Sequence, residues 1–456
     1  MKYSIKISKV DFEQVKTILF KYKPKENALF LLIGQANSKN IINFLVRRII
    51  EIPGKEVIVR TNNHLEISSK AINGIIALCE ANKLGLIVCH SHLNSFNEYS
   101  YSDNFGEKRL KEIFYKFMPN YPFISLLISN NGFKSRLWKN NNQLETIKNI
   151  KVIGRRIEEL GENEYIGISD KKIYDRQILA FGEMGQKIIS NAKVGIIGVG
   201  GTGSAVAEQL VRLGVKDFII VDKDYFDSSN ITRIYGSYSK DKPNKDFKKQ
   251  SKVKLIKKHL KNINKESRIE ILFGNIINKE TCLKLLDRDI IFLCTDDQWG
   301  RSIINQLAYQ YMIPVINIGV RIDCEKGKIN AGSAALHVLY PGKPCLWCYN
   351  YLKSNLIAAE SMSKEEKEKL IEQKYIKGMD ISAPSVISFT SIIASMAINI
   401  FLQMLTDFME EKGDISCLEF DIFNCDIRRG TVTIDKNCIC SRVKALGDYG
   451  NLHTIN

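Results

Sequence analysis

The sequence predicts an α/β protein in two parts. A mixed α/β domain is expected over residues 1–150 and a Rossmann-like domain with a mostly parallel sheet over 173–442, with a linker at 151–172 and a tail at 443–456. Three observations predict this. The chain has 456 residues at 45% hydrophobic composition, too much for one ordinary domain and enough for two cores. Strand-like apolar runs alternate with helical stretches from the first residues onward. The buried-strand run Val194-Gly195-Ile196-Ile197 leads straight into Gly198-Val199-Gly200-Gly201-Thr202-Gly203, a turn whose backbone can cradle phosphate as it opens a helix.

Taken in order, Tyr3, Ile5 and Ile7 alternate as in a half-buried strand over 3–8. No basic segment followed by an apolar one precedes them, so a cytosolic protein is expected. A helix from Asp11 gathers Phe12, Val15, Ile18, Leu19 and Tyr22 on one face, and strands follow at Ala28–Ile33 and Leu84–Cys89. As that last strand ends, His90, His92, Ser100 and Asp103 occur as H-x-H, seven residues, Ser, two residues, Asp. Two imidazoles and a carboxylate gathered by a loop would leave one tetrahedral zinc position open for water, as hydrolysis needs and a structural site does not. Glu26, just ahead of the strand Ala28–Ile33, is the acid expected beside that water. The competing reading makes these two solvent-facing histidines in a loop, with Ser100 and Asp103 as turn formers.

With these residues assembled, residues 1–140 resemble the JAB/MPN metalloproteases of the JAMM type. The resemblance implies that His90, His92 and Asp103 bind a catalytic zinc, that Glu26 shuttles the proton between the metal water and the leaving amine, and that Ser100 steadies the oxyanion. Leu93 departs from the family, which commonly has proline there, and the surroundings of Glu26 match only loosely.

The second domain opens with Tyr174-Asp175-Arg176-Gln177. After the glycine turn, the strand Phe218–Val221 ends in Asp222-Lys223-Asp224, then come Ser229-Asn230-Ile231-Thr232-Arg233 and Lys252. A further strand, Ile290–Cys294, ends in Thr295-Asp296-Asp297, with Arg301 on the helix after it. A plain dinucleotide-binding domain would share the glycines and Asp222, but has no use for Arg233, Lys252 and Asp296.

That series, over residues 170–440, resembles the ThiF/MoeB/HesA superfamily of adenylating domains. The resemblance implies an ATP site. Asp222 would hold the ribose, Gly198, Gly200, Gly201 and Gly203 would let backbone amides approach the phosphates, and Asp224 and Ser229 would line the site. Asn230, Arg233 and Lys252 would neutralise phosphate, and Asp296, with Asp297 beside it, would bind magnesium. Arg176 would reach into a partner subunit's ATP site, which implies a homodimer. Cys345-x-x-Cys348 and Cys438-x-Cys440 fit the family's structural zinc, although the second pair has one residue between the cysteines where two are usual. Residues 349–416 contain no cysteine, which puts an enzyme-bound thioester in doubt. Cys417 and Cys425 fall in a strand-like region and are expected in the core.

Eleven cysteines in a chain this long are too sparse for a disulfide scaffold, so reduced thiols and bound zinc are expected. The net charge of +16 comes from lysine scattered through the chain and concentrated only at Lys242–Lys261, with no arginine-rich arm. Nucleic acid is therefore disfavoured and an acidic protein partner stays open. The uncharged run Val386–Leu405 has the length of a membrane span, but its serines, threonine, asparagine and glutamine and its lack of an aromatic belt favour a buried helix. Ser363–Lys374 reads as an exposed charged helix.

The two resemblances meet on one substrate, a ubiquitin-like β-grasp protein ending in glycine. They imply a bifunctional enzyme of a prokaryotic ubiquitin-like modification system: an ATP-dependent adenylyltransferase for the glycine carboxylate, fused to a zinc peptidase or isopeptidase that trims or releases it. Such fusions resemble components of operons, some tied to antiphage defence. The alternative is sulfur-carrier adenylation leading to a thiocarboxylate. A conjugating enzyme or a sulfur donor is the implied further partner, and an inert docking role for the first domain is the non-enzymatic reading.

Overall fold

A computed structural model describes residues 2–92, 98–162, 165–241, 250–362, 366 and 384–454. Leu93, the first part of the lysine concentration (242–249) and, apart from Glu366, the charged stretch 363–374 lie outside the described residues. The chain divides into two compact units, one of residues 1–164, 310–312 and 443–451 and the other of the remainder.

In the first unit the described strands are β1 (Lys2–Ser8), β2 (Ala28–Asn37), β3 (Ile41–Glu51), β4 (Val57–Arg60), β5 (Leu65–Ile67), β6 (Gly85–His92), β7 (Phe123–Ser129), β8 (Gly132–Trp138), β9 (Leu144–Thr146), β10 (Asn149–Ile153) and β11 (Ile157–Gly161). All but the β4–β5 ribbon join one mixed sheet in the order β11-β10-β1-β3-β2-β6-β7-β8-β9. Helix α1 (Lys9–Leu19) covers one face, with α2 (Ser69–Asn82) and α3 (Tyr101–Phe117) on the other. Strand β2 is buried on both sides: Leu29, Leu31 and Ile33 pack toward Val15, Ile18 and Leu19 of α1, while Ala28, Phe30 and Leu32 pack toward α2 and α3. Two covered faces explain why its sequence is a continuous apolar run without alternation.

Two segments differ from expectation. The stretch 151–172, expected as a linker, holds the end of β10 and all of β11, which pair antiparallel from Asn149↔Gly161 to Ile153↔Ile157. Residues 443–451, expected in a tail, are part of the first unit: Gly447 bridges Gln35 of β2, Asp448 accepts from the Asn37 backbone amide at 2.8 Å, and Tyr449 packs on Tyr121. Gly34 makes room for this return, since a Cβ there would stand 2.2 Å from the Ala445 carbonyl oxygen.

The second unit carries β12 (Lys193–Ile197), β13 (Asp217–Asp222), β14 (Arg268–Phe273), β15 (Ile290–Leu293), β16 (Val315–Glu325), β17 (Lys328–Leu339), β18 (Cys417–Asp421) and β19 (Asp426–Gly430), in the order β14-β13-β12-β15-β16-β17-β18-β19. The first five are parallel and the last three join antiparallel, so the sheet is parallel in its Rossmann-like part and extended by a meander at one edge. Helices α4 (Asp175–Asn191), α5 (Gly201–Arg212), α6 (Lys252–Ile263), α7 (Lys279–Leu283), α8 (Gln298–Gln310), α9 (Ser354–Ser361), α10 (Ile387–Thr406) and α11 (Ile439–Val443) accompany it. The uncharged run is α10. It is long and apolar enough to cross a membrane, and it packs against α4, α5, β16 and β17, with Ile393, Ala397 and Phe401 fully or almost fully buried. Chain order reverses between β12 and β15, so their carboxyl ends open a crevice at a topological switch point.

Candidate functional site

Strand register assembles the first site. The histidines are not in a loop: β6 runs through His92, and side chains two apart on a strand share a face, so His90 and His92 project together. Ser91 points the other way and is fully buried, where its hydroxyl donates to the Leu19 carbonyl at 3.2 Å. Strands β2 and β6 pair antiparallel with Ala28 opposite His90, which sets Glu26, two residues earlier, across from His92. Their nearest atoms, Glu26 Oε1 and His92 Nε2, are 3.6 Å apart. This is the sheet face covered by α3, whose first turn carries Asp103. Asp103 Oδ1 lies 3.5 Å from His90 Nε2 and Oδ2 lies 3.3 Å from His92 Nε2.

Ser100 is the N-cap of α3. Its Oγ accepts from the Asp103 amide at 3.1 Å, its own amide donates to Asp103 Oδ2 at 2.7 Å, and its hydroxyl is 2.8 Å from that of Ser102. The capping pair therefore fixes the Asp103 carboxylate as well as the helix start. Burial opposes ionisation of Asp103, but the adjacent His90 and His92 imidazoles outweigh it and hold the carboxyl below the usual carboxylate range. Burial raises Glu26, against the attraction of His92 and His90.

The donor set suits zinc. His90, His92 and Asp103 offer ligand atoms within 4.8 Å of one another, and among the described residues buried His90 Nε2 meets no partner closer than Asp103 Oδ1 at 3.5 Å. The sequence reading missed a brace behind His90. The Tyr99 ring lies 6.1 Å from the imidazole, Tyr99 Oη donates to the Ser125 carbonyl at 3.0 Å, and Arg136 stacks 3.6 Å over the Tyr99 ring while paired to buried Glu107 at 2.5 Å. These residues are scattered along the chain and share no spacing, so nothing in the sequence linked them.

At the switch point of the second unit lies a cavity of about 560 Å³. It is lined by Gly198, Gly200 and Gly201, by Asp222 and Asp224, by Arg233 and Lys252, and by Asp296 and Asp297. Gly198 has φ +82°, and a Cβ on Gly203 would stand 1.9 Å from the Gly198 carbonyl oxygen, so the tight turn admits no side chain at either position. Asp222 is 8% exposed; its Oδ2 accepts from the Val199 amide and its Oδ1 from the Asp224 amide, both at 2.8 Å. It holds the glycine turn while facing the cavity, and burial raises its pKa despite the attraction of Lys252. Lys252 pairs with Asp224 at 2.7 Å. Asp296 is exposed to the cavity and has no hydrogen bond or ion pair among the described residues, whereas Asp297 caps α8, accepting from the Gly300 amide at 2.5 Å. A carboxylate with no partner among the described residues, facing a phosphate-sized cavity, is the kind of hard oxygen ligand that would hold magnesium.

Four expected residues do not line this cavity. Gly203 acts through packing. Asn230 is buried and completes a capping box with Asp227, and Ser229 presents its carbonyl to Arg233 at 3.1 Å, so both shape the turn that carries Arg233. Arg176 is exposed on α4. Asn275, Gly319 and Thr390 line the cavity without having been foreseen. Thr390 had a signal, as a polar residue inside the uncharged run, but Asn275 had none.

Cys345, Cys348, Cys438 and Cys440 converge. Their sulfurs lie 3.8 Å (345–348), 3.4 Å (345–438) and 3.8 Å (348–440) apart. Tetrahedral zinc with Zn–S of about 2.3 Å spaces its sulfurs about 3.8 Å apart, so the cluster fits that ion. Hydrogen bonding from Cys440 pulls the Cys345 thiol down to about 5, while burial pushes Cys438 up to about 12. The short second spacing is accommodated because Cys440 sits in the first turn of α11. Cys417 is buried in β18, but Cys425, expected in the core, is exposed in the β18–β19 turn with φ +51°.

Comparison with known proteins gives a consistent picture of the second unit. Residues 174–441 match the ThiF family. The sulfur carrier protein ThiS adenylyltransferase of Bacillus subtilis (strain 168) is 31% identical over 179 residues, 38% of this chain and 49% of that protein. Ubiquitin-like modifier-activating enzyme 5 of Culex quinquefasciatus is 26% identical over 258 residues, 53% of this chain and 58% of that one. The chain thus spans about half the length of these relatives. Among solved structures, E. coli MccB with ATP aligns at 20% identity and TM-score 0.47, covering 59% of this chain and 74% of that one.

Proposed function

Because the chain belongs to the ThiF family, we propose that its second unit adenylates, with ATP, the C-terminal glycine carboxylate of a small β-grasp protein of the ubiquitin-like or sulfur-carrier type. The observation that carries this reading is the joint lining of one cavity by a glycine turn, buried Asp222, the cations Arg233 and Lys252, and unpaired Asp296. Asp222 accepts hydrogen bonds from the ribose hydroxyls. Backbone amides at the start of α5 and the two cations hold the triphosphate, Lys252 exchanging Asp224 for phosphate. Asp296 would hold magnesium, which would offset phosphate charge. The carrier's carboxylate is already ionised at neutral pH, so it attacks the α-phosphorus without a general base; pyrophosphate leaves and an acyl-adenylate forms. Arg176, exposed on α4, is suited to complete the site of a second copy in a homodimer.

For the first unit we propose peptidase or isopeptidase action on the same carrier's tail, with His90, His92 and Asp103 holding zinc. Bound there, zinc would supply an acidified water and polarise the scissile carbonyl. Glu26, its proton affinity raised by burial, takes a proton at Oε1 and returns it to the leaving amine, and the hydroxyl of Ser100, the N-cap of the helix that carries Asp103, would donate to the oxyanion. Cys345, Cys348, Cys438 and Cys440 would hold a second, structural zinc. A cytosolic operon for prokaryotic ubiquitin-like modification, of the kind tied to antiphage defence, suits this pairing.

The absence of cysteine from 349 to 416 favours handing the adenylate to a thiol or persulfide on another protein, which keeps sulfur-carrier chemistry as the second reading. Intact-mass spectrometry on the full chain with a panel of glycine-terminated β-grasp proteins tests both activities. The expected result is a carrier heavier by one AMP with ATP and magnesium, and a shortened carrier precursor without ATP that disappears on chelation. A thiocarboxylate formed with a persulfide donor marks the second reading. No mass change in any carrier under either condition would sink the proposal.

A further inference from the structure

The segment after the cysteine pair Cys345/Cys348 is fastened to the turn that carries Asp296, and it is fastened at two charged points. Arg301, 6% exposed on α8, makes no ion pair with a carboxylate among the described residues. Its Nε and Nη2 donate to the Thr295 carbonyl at 2.9 and 2.8 Å, its Nη1 donates to the Tyr351 hydroxyl, and its guanidinium lies 5.0 Å from the Tyr351 ring. A buried guanidinium donating twice to one carbonyl fixes that peptide, and the next residue is Asp296. The second point is Glu360 of α9. Its two carboxylate oxygens accept from the Gln298 and Trp299 amides at 3.0 and 2.7 Å, the first free N–H groups of α8. Between the two points the Lys353 amide donates to Gln298 Oε1 at 3.1 Å.

The cysteine knuckle sets where Tyr351 arrives. The Tyr349 amide donates to the Cys345 carbonyl at 3.1 Å, Asn350 to Trp347 at 2.9 Å and Tyr351 to Leu346 at 2.9 Å, with Asn350 in the left-handed region at φ +53°. His337 packs edgewise between Tyr349 and Tyr351, with ring centroids 4.9 and 4.8 Å away. Tyr351 is thus held from below by the knuckle and from the side by His337, and it holds Arg301 in turn.

We propose that Tyr351 and Glu360 are positioning residues for adenylation, a two-point latch that fixes the Thr295–Asp297 turn so that the Asp296 carboxylate meets the magnesium of bound nucleotide. Among the described residues Asp296 itself has no partner to hold it, so its aim depends on the backbone beneath it, and that backbone depends on Arg301 and on the α8 amides. The inference rests on the reading of Asp296 as the magnesium ligand. It adds that segment 351–360, which contributes neither residue to the cavity lining, governs the metal-dependent part of nucleotide affinity.

The test is calorimetric binding of α,β-methylene-ATP to the full chain, with saturating Mg²⁺ and again in EDTA, for wild type, Asp296→Asn, Tyr351→Phe, Glu360→Gln and Tyr351→Phe/Glu360→Gln, with Ser361→Ala as control. Both single latch substitutions keep the side-chain shape. Each removes one charge-assisted hydrogen bond or weakens two, so each is expected to lower affinity in Mg²⁺ by about tenfold, and the double variant to approach Asp296→Asn, with affinity in EDTA unchanged. Equal loss in Mg²⁺ and EDTA would overturn the proposal, because the latch would then shape the whole cavity. Wild-type affinity in the latch variants beside a weakened Asp296→Asn would also overturn it while leaving the magnesium reading intact. If Asp296→Asn itself binds normally in Mg²⁺, the magnesium reading fails and the latch loses its purpose with it.

Discussion

Replacing Asp222 separates what the carboxylate does for the fold from what it does for ATP. In Asp222→Ala the Val199 amide, on a residue with no exposed surface, loses its acceptor at 2.8 Å; such an orphaned donor costs about 1–3 kcal/mol. The Asp224 amide is in an exposed residue and water replaces its lost partner at little cost. Asp222→Asn keeps one acceptor for Val199. It also removes a charge whose folded pKa lies above its unfolded one through burial, so that ionisation opposes folding as pH rises through the folded value. The asparagine variant is therefore expected to unfold near the wild-type temperature, and the alanine variant about 3–8 °C lower for a unit of this size. ATP reports the other role. At a hundred times Kd it stabilises the wild type by about 2.7 kcal/mol, and if loss of the ribose contacts weakens Kd a hundredfold, the same ATP adds only about 0.4 kcal/mol to either variant. Differential scanning calorimetry of the three proteins with and without ATP and magnesium measures both effects. A full ATP-dependent upshift in both variants would refute the ribose role, and an unshifted apo transition in Asp222→Ala would refute the structural one.

Three further outcomes follow from the geometry. His337 is buried, and burial first and Arg301 second lower its pKa to about 4, so between about pH 6.5 and 4 the unfolded chain takes up a proton that the folded chain refuses. Stability of the second unit should fall by roughly 3 kcal/mol as pH drops through that window, and His337→Gln should flatten the slope in urea melts; parallel slopes would count against a neutral buried imidazole. Metal analysis of purified protein should find two zinc equivalents, one lost in His92→Ala and the other in Cys348→Ser, and a single variant that loses both would contradict two separate sites. Ser100→Ala should weaken zinc retention by less than tenfold, since the Ser100 amide still holds Asp103, while slowing carrier cleavage by about 100-fold through the lost hydroxyl; equal small losses would reduce Ser100 to a cap.

The sequence carried the local part of both sites and little of what joins them. His90 and His92 were visible as a pair because period-two spacing survives in the linear chain, and the glycine turn because Gly198 and Gly203 cannot be replaced where backbone meets backbone. What the chain could not display was register. Glu26 comes to His92 only because Ala28 pairs with His90, a fact about two strands separated in the chain by β3, β4, β5 and α2, and this is why its surroundings looked uninformative in sequence. The loop expected at His90 was misread for the same reason: polar residues at the end of a strand look like a turn until the parallel partner β7, running to Ser129, shows that pairing continues to His92. The antiparallel meander of β17–β19 was legible only as a strand-like region around Cys417 and Cys425, because β17 is half-exposed and β19 fully so.

Capping gives several of the expected site residues a structural task. Ser100, Asn230 and Asp297 are polar residues near a site, and sequence spacing credits all such residues with chemistry. The structure gives each a backbone amide to satisfy: Asp103 for Ser100, Asp227 for Asn230 and Gly300 for Asp297. A capped turn and a catalytic turn draw on the same residue types, because both need a short polar side chain close to exposed N–H groups. The side chains that differ are those left without a backbone task. Asp296 lines the cavity without a partner among the described residues, and buried His90 Nε2 has only the Asp103 carboxylate, at 3.5 Å, beside it. Side chains with no backbone group to satisfy are where a ligand contributes most, and Asp296 and His90 are such members of their motifs.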